Sequence, residues 1–329
     1  MKRPFLGRSR ARVTELSFGA AAIGNLFSPV TDLDATEAVH IAWEAGIRSF
    51  DTAPHYGLGL SERRLGEALR ARPRETYTVS TKVGRLLEPV PEPSGDDLAD
   101  GFAVPATHRR VWDFSADGVR RSLEASLERL GLDRVDIVYL HDPDEHAEQA
   151  LTEAYPALER LRDEGVVDAI GIGMNQSALP ARFVRETDLD VVLLAGRYTL
   201  LDQSGLAELL PEAERRGVSV IAGGVFNSGL LADPRRDATY DYRAAPRPLV
   251  QRALRLKEIC ERHGVPVRAV AARFPLGHPA VKAVLVGLRD AGQVMDANYQ
   301  FHRPIPKALW RDLRADLLLG AHVPVPEGA

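Results

Sequence analysis

Short apolar runs alternate with segments of helical periodicity along the chain. The runs at Leu16–Ala20, Ile47–Ala53, Thr76–Val83, Val135–Asp142, Val167–Gly173, Val191–Gly196, Val218–Gly224 and Val281–Gly287 read as strands. Several, such as VDIVYL and VVLLA, are nearly continuous in apolar residues, as parallel strands buried on both faces should be. DATEAVHIAWEAG, SERRLGEALRARP, SADGVRRSLEASLERLG, EQALTEAYPALERLRDEG and SGLAELLPEAERRG read as helices. Gly46, Gly131, Gly165 and Gly217 each follow a last helical turn, where a left-handed residue ends a helix at little steric cost. Ser61 and Ser115 are predicted N-caps. Length alone suggests two domains, but the alternation runs on without a linker. It predicts an α/β fold, a single (β/α)8 TIM barrel forming one domain over residues 1–329.

Two connections are too long for plain strand-to-helix loops. Gly84–Phe114 carries PVPEPSGDD with Phe102, His108, Arg109 and Trp112; Phe226–Pro246 carries Tyr240, Tyr242 and Arg243. Both follow strands, which predicts long loops on the C-terminal face, where barrel sites are built. Their aromatic residues favour a substrate lid over a solvated spacer.

Composition narrows the function classes. Among 329 residues, 42 Lys and Arg stand against 46 Asp and Glu, a net charge of −4. No global basic field is available to hold nucleic acid or an anionic membrane, so a small-molecule substrate is expected. The start MKRPFLGRSRAR lacks the apolar core of a signal peptide, and no apolar run approaches the roughly 18 residues that span a bilayer; the cytoplasm is the expected compartment. The lone Cys260 sits in helical LVQRALRLKEICERHG and reads as a small core residue. No metal site is expected, and the sequence sets no oligomeric state.

The candidate chemistry lies at the strand ends. FDTAPHYGLGLSERRLG puts Asp51 at the end of an apolar strand and Tyr56 on the loop beyond; Lys82 closes TYTVSTK and His141 closes VDIVYLH. Singly, each has a structural alternative: a loop cap for Asp51, a rim aromatic for Tyr56, an ion-pair partner for Lys82, a turn for His141. Together they suit proton transfer coupled to hydride transfer at a carbonyl carbon. A phenol of ordinary pKa near 10 is protonated at neutral pH. Lys82 is expected to lower that pKa, Asp51 to hold the ammonium, and His141 to orient the substrate oxygen. No side chain supplies hydride, so a cofactor is implied.

In order, spacing and strand position, Asp51, Tyr56, Lys82 and His141 resemble the Asp-Tyr-Lys-His tetrad of the aldo-keto reductases. FDTAPHYGLGLSERRLGEAL, SLERLGLDRVDIVYLHDPD and LRDEGVVDAIGIGMNQ resemble successive blocks of that superfamily, over almost the whole chain. GRYTLLDQ, GGVFNSGLL and YDYR are similar to its branch of D-threo-aldose (L-fucose) 1-dehydrogenases and pyridoxal 4-dehydrogenases. The resemblance implies an NAD(P)-dependent oxidoreductase that oxidises a cyclic hemiacetal, of an aldose or of pyridoxal, to its lactone. An NADPH-dependent carbonyl reductase is the alternative, and a cofactor-sensing regulatory subunit a third reading.

No G-x-G-x-x-G lies between a strand and a helix, so a Rossmann site is not expected. Asn227, Ser228 and Gly229 after the seventh strand form a candidate pyrophosphate cradle, or else an ordinary tight turn. The resemblance implies adenosine contacts in GLRDAGQVMDAN at Arg289, Gln293 and Asn298, and a nicotinamide contact at Asn175. Gly223 and Ala195 stand where the family commonly has an aromatic residue and a Gln. Arg289 suits a 2′-phosphate, whereas Asp290 repels one and suits a free ribose hydroxyl; NAD is favoured over NADP. Trp112, Arg197, Tyr240 and Tyr242 are the expected substrate contacts, with Arg243 as an alternative anchor.

Overall fold

The computed structural model describes residues 1–235, 237–241 and 243–326. Eight parallel strands close into a barrel in sequence order: β1 Leu16–Gly19, β2 Ser49–Asp51, β3 Thr78–Val83, β4 Ile137–His141, β5 Ala169–Met174, β6 Val191–Ala195, β7 Ser219–Gly223 and β8 Val281–Gly287. The main helices are α1 Asp32–Glu44, α2 Leu60–Leu69, α3 Ala116–Leu130, α4 Tyr155–Asp163, α5 Ala178–Glu186, α6 Leu209–Arg216, α7 Arg247–Arg262, α8 Val267–Arg273, α9 Ala291–Phe301 and α10 Lys307–Ala315. Every predicted strand is present, most of them shortened by a few residues, while β5 runs one residue further, to Met174.

Strand side chains alternate faces, and two cores result. Phe50, Val79, Val83, Val138 and Leu140 face outward and pack with Leu65, Leu69 and Leu123 of the surrounding helices. Ile137, Tyr139, Ala169, Val191, Leu193, Ile221 and Ala283 point inward and form a second cluster with Leu6, Ala11 and Val13. The basic opening segment is thus a plug: Phe5 bridges Arg12, and the fully buried Leu6 enters the barrel interior.

Most helix ends follow the expected chemistry, but the helix expected through SGLAELLPEAERRG opens as a 3-10 turn at Ser204–Leu206 and is α-helical only from Leu209. Ser115 caps α3, its hydroxyl accepting from Gly118 N at 3.0 Å. Ser61 is no cap. The helix begins one residue earlier, after Gly59 in a left-handed conformation, and the Ser61 hydroxyl is buried, donating to the Ala20 carbonyl at 2.8 Å and bonding the Thr52 hydroxyl at 2.8 Å. The helix expected through EQALTEAYPALERLRDEG contains a π turn at Ala150–Ala154, directly before Tyr155 and Pro156. Pro156 has no N–H to donate backward, so the preceding turn relaxes its bonding.

Behind the site, α2 and α3 approach closely: a Cβ on Gly66 would lie 1.9 Å from the Leu130 carbonyl oxygen, so only glycine fits. Fully buried Glu62 on α2 bridges the same gap, accepting from Arg129 Nε at 2.5 Å and from the Thr81 hydroxyl at 2.8 Å.

The first long connection is ordered. Arg85–Pro89 pairs with His108–Trp112, and Asp96–Asp97 with Phe102–Pro105, as antiparallel ribbons. The lid docks on the loop after β1: Ala103 N donates to Asn25 O at 2.9 Å, Asn25 Nδ2 to Ala103 O at 3.2 Å, and Phe27 N to Gly101 O at 2.7 Å. The second connection makes a two-residue ribbon, Thr239–Tyr240 against Arg243–Ala244, before α7. Among the described residues no helix is long and apolar enough to cross a membrane.

Candidate active site

Inward-facing positions at the C-terminal ends of β2, β3 and β4 bring the polar side chains together. Lys82 Nζ donates to Asp51 Oδ2 at 2.7 Å, to the Thr52 carbonyl at 2.9 Å and to Tyr56 Oη at 3.0 Å, which uses all three ammonium protons. The Ser80 hydroxyl donates to the other Asp51 oxygen at 2.7 Å. Lys82 is 2% exposed and Asp51 4%, so neither charge is tolerable without the other. Burial works against the lysine's charge, yet Asp51 and Tyr56 outweigh it and hold the Lys82 pKa above its ordinary value.

The Tyr56 ring packs beneath the lid with Leu58, Phe102 and Leu87. Its pKa corrects an expectation. Desolvation of the phenolate raises it above 10.0, and although Lys82 pulls the other way, desolvation, helped by Asp51, wins. A part-buried phenol loses more hydration than one already neutralised ammonium returns.

His141 stands edge-on to Tyr56, ring centroids 6.0 Å apart at 89°. Burial, then the charges of Arg85 and Lys82, hold its pKa well below the usual imidazole value, so it is neutral. Its Nδ1 is buried without a partner, and Nε2 lies 3.6 Å from Asp142 Oδ2. Asp142, at a left-handed φ of 44°, is paired with Arg85.

Several neighbours escaped the sequence reading. Arg85 links Asp142 to the lid, its guanidinium 4.4 Å from the Trp112 ring centroid. Arg110, on the lid, bonds His55, Asp97 and Asp100, and Phe102 packs edge-on against His55 at 5.1 Å. Their one sequence signal was position: Arg85 follows the Lys82 strand, and His55 adjoins Tyr56.

The expected cofactor residues divide. Asn227, Ser228 and Gly229 all have positive φ, at 45°, 56° and 95°. Asn227 N donates to Gly224 O at 2.9 Å and Gly229 N to Phe226 O at 3.1 Å, so two of the N–H groups expected to face a pyrophosphate close a tight turn instead. Ser228 accepts from the Thr239 hydroxyl at its carbonyl. The Asn227 side chain holds the Gly196 carbonyl at 3.3 Å and leaves Oδ1 buried without a partner. Asn175 follows β5 directly and is exposed. Arg289 donates to the Leu26 carbonyl at 3.2 Å and, through its backbone, to Gln293 Oε1 at 3.2 Å. Asp290 caps α9, accepting from Gln293 N at 2.8 Å, and Asn298 Oδ1 is buried and unpartnered. Ala195 and Gly223 are neighbours across β6 and β7. A Cβ on Gly223 would make only ordinary contacts, 3.5 Å from Leu193 Cδ1 and 3.7 Å from Ala195 Cβ. Room at these strand ends, unsatisfied amide oxygens, and the helix terminus with Arg289 fit a dinucleotide with an amide at one end and phosphates toward the other.

Of the expected substrate contacts, Trp112 lies at the lid rim, 43% exposed and stacked on Phe114 at 6.0 Å. Arg197 and Tyr240 are committed elsewhere. Arg197 pairs with Asp241 at 2.9 Å and lies 3.7 Å from Asp202, while Tyr240 Oη donates to Asp202 at 3.3 Å. These bonds fasten the second long loop to the loop after β6, since paired groups at this spacing satisfy each other. Arg243 belongs to the short ribbon; Tyr242 lies outside the described residues.

A closed eight-stranded barrel with an Asp, a Lys and a His on consecutive strand ends and a Tyr on the intervening loop defines a class. Residues 15–315 match the Aldo/keto reductase family, and the chain belongs to it. It is therefore an oxidoreductase that uses a nicotinamide cofactor on small-molecule substrates. Among particular relatives, the chain is 50% identical to D-threo-aldose 1-dehydrogenase from Pseudomonas sp, over 92% of this chain and 93% of that protein. It is 40% identical to pyridoxal 4-dehydrogenase from Microbacterium luteolum, over 95% and 97%. Among solved structures, the glycerol dehydrogenase of Gluconobacter oxydans superposes with a TM-score of 0.77 at 25% identity, covering 99% of this chain and 97% of that one. A holo aldo-keto reductase from Bacillus halodurans gives 0.75 at 25% identity, covering 98% of each.

Proposed function

We propose that this chain, acting as one barrel domain in the cytoplasm, is an NAD-dependent dehydrogenase that oxidises the cyclic hemiacetal of an aldose to its lactone. The observation that carries the chemistry is the chain of contacts from Asp51 through Lys82 to the Tyr56 phenol, beside a neutral His141. A nicotinamide held at these strand ends would supply the acceptor for the hydride that leaves the anomeric carbon. Tyr56, as phenolate, takes the anomeric hydroxyl proton at Oη, leaving a carbonyl at that carbon. Lys82 stabilises the phenolate through the bond it already makes, and Asp51 holds Lys82 in place. His141, uncharged, fixes the reacting oxygen by a hydrogen bond and adds no charge. The two most similar relatives named above oxidise hemiacetal-forming substrates by their names, D-threo-aldose and pyridoxal, which supports the direction.

Asn175 is assigned to the nicotinamide end, the segment Asn227–Gly229 to the pyrophosphate, and Arg289, Gln293 and Asn298 to the adenosine end. Asp290 places a carboxylate at the α9 terminus, where a 2′-phosphate would be repelled. That favours NAD.

One observation favours carbonyl reduction as a second reading: the raised Tyr56 pKa keeps the phenol protonated at neutral pH, the form that gives a proton to a new alkoxide. A panel of L-fucose, D-arabinose, L-galactose, pyridoxal and simple aldehydes, followed with NAD, NADP and their reduced forms, separates the two. Lactone found by mass spectrometry before hydrolysis supports the dehydrogenase. Alcohol formed from aldehydes with NADPH, and no lactone, overturns it.

A further inference from the structure

Arg110 reaches from the lid strand His108–Trp112 to the residue beside Tyr56. Its Nε lies 2.5 Å from His55 Nδ1, and its Nη2 donates to the His55 carbonyl at 3.1 Å. Asp97 takes two more of its protons, at 2.7 and 2.5 Å, and Asp100 another at 2.9 Å. An arginine does not give up its proton, so His55 Nδ1 must accept. A neutral imidazole that accepts at Nδ1 carries its hydrogen on Nε2. Nε2 has no hydrogen-bond partner among the described residues, and the residue is half-buried. The ring stands 6.0 Å from that of Tyr56 and 5.8 Å from that of His141, so it shares the space around the reacting oxygen.

From this geometry we propose that His55 is a specificity-determining residue: its Nε2–H donates to a substrate hydroxyl next to the reacting carbon, with Arg110 as the positioning residue that sets the tautomer. The assignment rests on the hemiacetal reading, since an aldose carries such a hydroxyl and a simple aldehyde does not. Burial, with Arg85, Arg110 and Lys82 nearby, holds the His55 pKa down at about 2, so the donor stays neutral beside Tyr56. A part-buried donor built for a hydroxyl also rejects analogues that lack it, because the donor is then left unpaired. The lid thus reports its docked position directly to the substrate.

Two measurements test this. Histidine-selective 15N NMR of the whole enzyme should show His55, assigned by its loss in His55→Phe, as the Nε2–H tautomer, and Arg110→Met should convert it to a mixture. A His55 signal of the Nδ1–H form in the unmodified enzyme overturns the proposal. The second is kinetic, with the accepted aldose and its deoxy analogues at each ring carbon. His55→Phe should raise KM for the parent sugar about tenfold with kcat little changed, and should leave KM unchanged for one analogue. His55→Gln, which presents an amide N–H at similar reach, should restore most of the difference. A loss of the same size for every analogue overturns the His55 assignment while leaving the hemiacetal reading intact. If the unmodified enzyme oxidises no sugar, the hemiacetal reading fails and the donor role fails with it, whereas the NMR arm still decides the tautomer.

Discussion

Lys82 Nζ stands 3.0 Å from Tyr56 Oη, yet the phenol remains harder to ionise than one in water. Burial opposes the phenolate, and the lysine's charge is largely answered by Asp51 2.7 Å away. At neutral pH Tyr56 is protonated, so the base needed for oxidation is scarce. Oxidation kcat/KM should therefore rise with pH through 8, 9 and 10 without levelling, while carbonyl reduction holds steady over the same range and declines only as the phenol ionises. Initial rates in both directions check it. An oxidation plateau near pH 8 would show that the phenol is acidified in the enzyme form that meets the substrate, and would overturn this direction.

Tyr56→Phe removes one of three acceptors around Lys82 and keeps the ring among Leu58 and Phe102. The fold should survive. Turnover should fall by about 10²- to 10⁴-fold, the usual worth of positioned acid-base help, while the dissociation constant for NAD stays near that of the unmodified enzyme. Fluorescence titration beside steady-state rates gives both numbers.

Asp290→Ser is a clean probe of cofactor choice because serine also caps helices. The bond to Gln293 N that begins α9 can be remade, and only the negative charge is lost. The ratio of NADP to NAD affinity should increase several-fold at low salt, and less at high salt as screening grows. Arg289→Ala should shift it the other way. Calorimetric titration with each nucleotide measures the ratio.

Glu62 is fully buried between Arg129 and Thr81, one residue from Lys82. Glu62→Leu strands the Arg129 guanidinium, and removing one partner of a buried pair costs on the order of 3 kcal/mol. Thermal melting should show a lower Tm. Activity per folded molecule should drop as well, since Thr81 helps hold the strand that carries Lys82.

The barrel and its strand-end polar residues were legible because both are local properties. A run such as VDIVYLH shows in sequence that it is a buried strand and that a histidine ends it. Alternation then sends Tyr139 and His141 to one face. What escaped depends on partners distant in the chain: Arg110 meets His55 across 55 residues, and Arg197 meets Asp241 across 44. Serine before a helical run reads as a cap, and nothing local showed that Ser61 would be buried against Ala20. Small residues after β7 were visible, but where the N–H groups of Asn227 and Gly229 point is decided by left-handed backbone. The sign of the Tyr56 shift was missed because sequence shows the neighbouring cation and hides the desolvation.

Each of four cations around the mouth of the barrel is matched by carboxylate: Lys82 by Asp51, Arg85 by Asp142, Arg110 by Asp97 and Asp100, Arg197 by Asp241 and Asp202. With six carboxylates around four cations these groups carry a net negative charge, but an uncharged sugar offers that field no monopole to steer, so it meets the mouth at a rate set by diffusion and orientation. Its encounter rate should be indifferent to ionic strength, and cells of quite different salt content could use this enzyme on a neutral sugar unchanged.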